Sequence, residues 1–234
     1  VGSVSSAAES LAESVGADVR YTYQSALKGF SGAMSAEAAA RLEDDPRVDY
    51  VVPDGYAHVT QTQTPLVPGL WGLDRIDQRA LPLGGSYQFS VSRNVVHAYI
   101  LDTGILTGHQ DFGGPNNTRR TGPGFDAVTI GGNAEDCDGH GTHVAGTVGG
   151  TTHGVAKNTI LYPVRVLNCQ GSGTWGQVIA GMDWVTANAR RPAVANMSLG
   201  GGVNAAVNQA ATAMVNAGIT TVVAAGNNSG GNAC

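Results

Sequence analysis

Beyond residue 70, short apolar runs alternate with longer small-residue stretches, and this alternation restricts the fold more than any other feature of the sequence. Val95–Leu101 (VVHAYIL) is a near-continuous apolar strand, the pattern expected when both faces of a sheet are covered. A helix is predicted from about Gly141, then a strand at Ile160–Leu167 and a helix at Gly176–Ala189. A strand at Val194–Met197, a helix near 203–217 and a strand at Thr220–Ala225 complete the series. Such a rhythm predicts an α/β fold, a doubly wound parallel sheet. Ligands of these sheets bind beyond the carboxyl ends of the strands, so polar motifs that follow strands are the candidates for chemistry.

The first quarter of the chain reads differently. Residues 3–16 form an Ala/Ser helix closed by Gly16, and Val19–Tyr23 and Gly29–Met34 have strand character around a turn near Ser25–Lys28. Ser35 can cap a helix over 36–44 that Pro46 ends, and Val48–Val52 is a further predicted strand. The order is a split βαβ unit without its first strand, a small α+β ferredoxin-like domain. Residues 1–60 hold nine acids against four bases, whereas the rest holds nine of each, so the net charge of −5 sits in this segment. A charge shift of that kind marks a boundary, and the polar, then Pro/Gly-rich stretch TQTQTPLVPGL follows it. The expected domains are therefore 1–60, a link over 61–70, and 71–234.

With 42% hydrophobic and only 13% charged residues, plus 34 glycines, a rigid, loop-rich globular enzyme is expected rather than a disordered chain. The acidic balance gives no reason to expect nucleic acid or an anionic membrane as partner, and no apolar run reaches the roughly 20 residues of a membrane span.

Asp102 ends the strand VVHAYILD, where rigid backbone could hold an orienting carboxylate; the plainer reading is that it only bonds the following turn. His140 lies in DGHGTHVAG, flanked by glycines at a helix start, and an imidazole held by a carboxylate is a general base suited to near-neutral pH. Zinc is the competing reading, through Cys137, His140 and His143, but no fourth ligand appears at zinc spacing and the HExxH glutamate is missing. Asn227 follows the strand TTVVAAG and could aim an N–H at an oxyanion, or could simply serve a turn.

Together ILDTGI, DGHGTHVAGTVGG, VANMSLGGG and VVAAGN, in this order, resemble the subtilisin-like serine proteases. WGLDRIDQRALPL and RRPAVANMSLGGGV narrow the resemblance to the proteinase K branch, especially its secreted aqualysin-like members. The first 60 residues, through YTYQSALKGFSGAMS and DPRVDYVVPD, resemble the inhibitory propeptide of that family. The resemblance implies that Asp102 orients the imidazole, that His140 is general base and then acid, and that Asn227 is an oxyanion donor. It implies that Ser198, Leu199 and Gly200 with Ala224, Ala225 and Gly226 line the first specificity pocket. Gly171, Ser172 and Gly173 would pair with the substrate backbone on its other side, and Trp175 would line the pocket for the fourth residue before the cleaved bond. The implied activity is serine endopeptidase action on polypeptides, with broad specificity leaning to bulky apolar or aromatic residues. The propeptide would lie in the cleft, with self-cleavage somewhere in Val59–Gln63, and the enzyme would act as a secreted monomer.

The sequence departs from the family pattern in having no GTSMATPHVAG-type segment, which carries the family's nucleophile. Ser198 and Ser172 have no base assigned to them, so the chain as written is expected to be inert. The alternative is a non-catalytic protein whose acidic segment acts as inhibitor or chaperone. A dinucleotide-binding oxidoreductase is set aside because no G-x-G-x-x-G follows the strand ending at Asp102. Cys137 and Cys169 match a disulfide of the aqualysin-like group, worth about 3–4 kcal/mol in the chain-entropy account, against a reading as two free thiols. Cys234 would pair with a cysteine further along a longer precursor. No cofactor is expected for catalysis. Asp74, Asp77 and Gln78 in LDRIDQ fall where related proteases hold a structural calcium, with Gly84 and Ser86 at the further ligand positions; a solvated acidic turn is the other reading.

Overall fold

In a computed structural model of the chain, residues other than 1–3, 24–27, 54–58, 64–65, 92–94, 114–117 and 228–234 are described. The chain divides into two compact units, Val1–Ala57 and His58–Cys234.

In the first unit, helix α1 (Val4–Val15) precedes strands β1 (Asp18–Tyr23) and β2 (Gly29–Ala33), and helix α2 (Ala36–Glu43) follows. The Ser35 side chain accepts the Ala38 N–H at the start of α2, a side-chain N-cap. Ala8, Leu11 and Ala12 of α1 and Ala38 and Leu42 of α2 form the buried face of the unit. β1 and β2 are antiparallel, with an irregularity between Val19 and Tyr21. Arg41 donates to the Val15 carbonyl at the end of α1, where a cation also complements the helix dipole. The expected strand at Val48–Val52 is not formed: residues 48–53 lie outside any ladder, and Tyr50 and Val52 are exposed. β-branched composition marks what suits a pleated surface, but a strand exists only against a partner, and β1 and β2 pair with each other.

The second unit opens with strand β3 (Val59–Gln63), helix α3 (Trp71–Ile76) and strand β4 (Tyr87–Val91). β3 pairs antiparallel with β4 along its whole length, so the start of the stretch expected to be a link is a strand. The two strands are joined through α3 rather than by a tight turn, so turn residues alone did not reveal the pairing. The rest is a βα series: β5 (His97–Asp102), β6 (Phe125–Asp126), α4 (His140–Gly149), β7 (Ile160–Arg165), α5 (Trp175–Asn188), β8 (Ala193–Met197), α6 (Ala205–Asn216) and β9 (Thr220–Val223). The five strands form one parallel sheet in the order β6-β7-β5-β8-β9.

β5 is buried on both faces, as its composition required. Tyr99 and Leu101 pack with Val164, Met182, Val185 and Met214 on the side of α5 and α6. Ala98 and Ile100 pack with Ile105, Phe112, Ala145 and Leu161 on the side of α4. Fully burying an aliphatic side chain of this kind stabilises by about 1.5–3 kcal/mol. The chain leaves β5 for β6 at the sheet edge, returns through α4 to β7 between them, then crosses to β8 on the other side of β5. Consecutive connections thus part at the carboxyl end of β5, the switch point where open α/β sheets form a crevice, and Asp102 is the last residue of that strand.

Candidate active site

Asp102 is fully buried, and its Oδ1 lies 2.7 Å from His140 Nδ1. The same oxygen accepts the Thr103 N–H at 2.7 Å. Oδ2 is buried and has no hydrogen-bond partner among the described residues, so the imidazole is the main group answering this carboxylate. His140 is the first residue of α4, and its N-cap, Gly139, has φ 112°, a backbone conformation in which a side chain would be strained. Gly141 lets the helix start approach the strand: a Cβ there would stand 2.2 Å from Gly104 O and 3.1 Å from Asp102 Cβ. Asp102's hydrogen bond raises the His140 pKa above its ordinary value, burial opposes this, and the charges of Asp102, Asp138 and Asp136 add to the rise. With Nδ1 turned to Asp102, Nε2 is the nitrogen left for a reacting group, and the side chain is half exposed.

His140 lines a cleft of about 720 Å³ together with Thr103 and Asp138. One stretch of wall is the 171–173 turn with Trp175, and another is Ser198–Gly202. Asn168 shapes the first: its Oδ1 accepts the N–H groups of Gln170 and Ser172, and its own N–H donates to Ser172 O at 2.8 Å. Thr174 then starts α5 with a capping box to Gln177, which fixes the direction in which Trp175 leaves the turn. Ser198 Oγ accepts from Asn196 Nδ2 at 2.9 Å.

Gly171, Ser172, Gly173, Trp175, Ser198, Leu199, Gly200 and His140 therefore share one cleft. Ala224 is tied to the residue before Ser198 through its N–H to Met197 O, but Ala224, Ala225, Gly226 and Asn227 are exposed and do not line the cleft as it stands. They follow β9, an edge strand that pairs only with β8. Cys137 and Cys169 form a disulfide, which excludes the zinc reading that needed a Cys137 thiolate. It joins the loop before His140 to the one before the 171–173 turn. Arg165 Nη1 pairs with Asp126 while Nη2 lies 3.2 Å and 3.5 Å from the two sulfurs. Cys234 lies outside the described residues. Residues not singled out in the sequence also shape the site: Thr103, Asp136, Gly201 and Gly202. Asp136 stands four positions before His140, and its proximity to that motif was the available signal.

At the acidic turn, Asp74 is buried and its two oxygens accept the N–H groups of Gly84 and Gly85. The Gly84 N–H also points at Gln78 Oε1, and Asp77 Oδ2 accepts from Gln88 N. A calcium ion requires six to eight oxygens converging on one point. Here a backbone N–H lies between Asp74 Oδ1 and Gln78 Oε1, so the residues as folded do not fit a cation cage.

The fold and site are thus those of an α/β protein with a carboxylate–imidazole pair at the switch point of a parallel sheet and a loop-walled cleft beside it. Residues 96–233 match the Subtilase family, and residues 2–60 match Peptidase inhibitor I9; the chain belongs to the subtilase family. The Extracellular serine proteinase of Thermus sp. is 54% identical over 212 residues, covering 91% of this chain and 50% of that protein. The Alkaline serine exoprotease A of Vibrio alginolyticus is 45% identical over 219 residues, covering 92% of this chain and 40% of that protein. A solved cold adapted subtilisin-like serine proteinase has a TM-score of 0.59 at 46% identity, covering 70% of this chain and 57% of the other. The chain thus spans about half the length of these curated relatives. Among the described residues, no helix is long and apolar enough to cross a membrane.

Proposed function

We propose that this chain carries the acid–base half and the substrate-strand walls of a serine endopeptidase that cleaves polypeptides by acyl transfer. The 2.7 Å contact between buried Asp102 and His140 at the cleft is the observation that carries this reading. Asp102 holds the imidazole in one tautomer, and Nε2 takes the proton of an attacking serine hydroxyl and returns it to the leaving amine. Asn227 donates to the oxyanion. The turn 171–173 and the segment 198–200 flank an extended substrate and pair with its backbone. Ser198–Gly200 with Ala224–Gly226 bound a pocket for a bulky apolar or aromatic side chain, and Trp175 lines a pocket further along. Among the described residues no serine hydroxyl is hydrogen-bonded to His140, which supports a nucleophile outside them.

Residues 1–60 act as an inhibitory propeptide that occupies the cleft, 61–70 join it to the enzyme, and 71–234 belong to the peptidase domain. The enzyme is secreted and monomeric; the disulfide suits an oxidising compartment, and the Thermus relative is named as extracellular. Catalysis requires no cofactor. The turn at Asp74, Asp77 and Gln78 is held by backbone donors rather than by calcium, and a rise in melting temperature on adding calcium to Asp74-containing protein but not to Asp74→Ala would overturn that statement.

The test is hydrolysis of a peptide with an aromatic residue before the scissile bond. The 234-residue chain should show no turnover. A longer protein carrying the serine-bearing segment should turn over, with activity lost in His140→Ala; undiminished activity in that variant would remove His140 from the mechanism.

A further inference from the structure

Asp136 accepts five hydrogen bonds that reach both halves of the Asp102–His140 pair. Its Oδ1 takes the Thr103 hydroxyl at 2.9 Å and the N–H groups of Asp138 and Gly139 at 2.9 and 3.0 Å. Its Oδ2 takes the N–H and hydroxyl of Thr142 at 2.9 and 2.5 Å. Thr103 directly follows Asp102 and donates its N–H to the Asp102 carboxylate. Gly139 caps the helix that begins with His140.

The two hydroxyls act as directed relays. Because each donates its proton to Asp136, each presents lone pairs elsewhere: Thr103 Oγ1 accepts the Gly141 N–H, and Thr142 Oγ1 accepts the Leu106 N–H, both at 2.9 Å. The strand-end turn 103–106 and the first turn of α4 are thereby stitched at two points, both anchored on one carboxylate. Backbone contact between them is already tight, since a Cβ on Gly104 would stand 2.5 Å from Ala134 O and 2.9 Å from Asp136 N. A neutral amide could not keep this set, because its NH₂ would face the Thr142 N–H.

We propose that Asp136 is the positioning residue of the active site, setting the Asp102–His140 distance by clamping the end of β5 to the start of α4. It touches no reacting atom. The hydrogen bonds it accepts hold its own pKa down to about 2 against the opposing effect of burial, so the clamp stays charged throughout the range in which His140 titrates. The functional meaning rests on the pair being the catalytic dyad, but the clamp is tested on geometry alone.

The experiment is NMR of the His140 imidazole in the 234-residue chain, reading the Nδ1 proton and the ring pKa. Asp138 is the comparator, because it also raises the His140 pKa through its charge but has no bond to Thr103 or Thr142. Asp136→Asn is expected to speed exchange of the Nδ1 proton about tenfold or more, the loss typical of a weakened charge-assisted bond, and to lower the ring pKa. Asp138→Asn should lower the pKa while leaving the exchange unchanged. Thr103→Val removes the strand's hydroxyl link to Asp136 together with the acceptor of the Gly141 N–H, leaves the Asp136 bonds to Gly139 and Thr142 in place, and should also speed the exchange, which keeps the test decisive if Asp136→Asn fails to fold. Unchanged exchange in Thr103→Val, or equal exchange in Asp136→Asn and Asp138→Asn, would overturn the clamp. Neither result bears on whether the pair performs peptide hydrolysis, which is decided by turnover of the longer protein.

Discussion

Gly201 lies against the Trp175 indole so closely that a Cβ on it would stand 2.5 Å from Cζ2 and 2.8 Å from Cη2. The two residues belong to different walls of the cleft, so the glycine sets how far the indole can lean across it. Gly201→Ala should push the indole out of place, cost about 1–3 kcal/mol as an overpacked contact, and weaken binding of peptides with a large residue at the distal subsite. Tryptophan fluorescence and a peptide binding isotherm measure both effects; an unchanged emission spectrum would count against the contact.

The stability of the Asp102–His140 pair should depend on pH in a defined direction. Asp102's hydrogen bond raises the folded pKa of His140 above 6.5. Its stabilisation is then complete below the unfolded pKa of about 6.5 and disappears as pH climbs through the higher folded value. Asp102→Asn should therefore destabilise the protein more near pH 5.5 than near pH 9, as read by chemical denaturation at the two pH values. An equal loss at both would mean that the imidazole is not charged by this partner.

Removing the bridge with Cys137→Ser and Cys169→Ser should lower stability by about 3–4 kcal/mol for a closed loop of 32 residues. In a unit of this size that corresponds to a fall in melting temperature of about 10 °C. Calorimetry of the double variant measures it, and a fall of only a degree or two would show that the loops are held by other contacts.

Arg120 is a buried cation whose guanidinium donates to the carbonyls of Gly149, Thr159 and Asp111 and to the Thr151 hydroxyl. Burial lowers its pKa, partly offset by Asp111. Arg120→Met keeps the volume but strands several buried acceptors, at a cost of about 3 kcal/mol or more. Hydrogen exchange should rise first in residues 149–159, where two of those carbonyls and the Thr151 hydroxyl lie.

The parallel sheet was legible in the sequence because its central strands β5 and β7 are buried on both faces. Val95–Leu101 is interrupted only by His97 and shows no regular polar alternation, and Asp102 falls where the apolar run stops. The Asp102–His140 pairing and the shared cleft of 171–175 and 198–200 were expected from the family resemblance, and the strand-end rule only says why such motifs gather there. The pairing of β3 with β4 was not legible, since Thr/Gln alternation has no apolar face to mark a strand and its partner lies beyond an intervening helix. The strand at 48–52 was read into the first unit because local composition says nothing about whether a partner ladder exists. Asp136 escaped notice for a related reason: its importance lies in five partners spread from Thr103 to Thr142, which no local pattern displays.

The crossing-over of the chain at β5 has a consequence for how this site can vary. The Asp102–His140 pair hangs on the β5–α4 connection, the turn 171–173 on β7–α5, and the segment 198–202 on β8–α6. Each connection is rooted in a different strand of the sheet, and the Cys137–Cys169 bridge ties the first to the second while leaving 198–202 apart from it. Changes in the two walls should therefore combine nearly additively wherever the altered groups do not touch, and selectivity can drift while the proton-transfer pair stays fixed. The Trp175–Gly201 contact is an exception, a place where the two walls must change together.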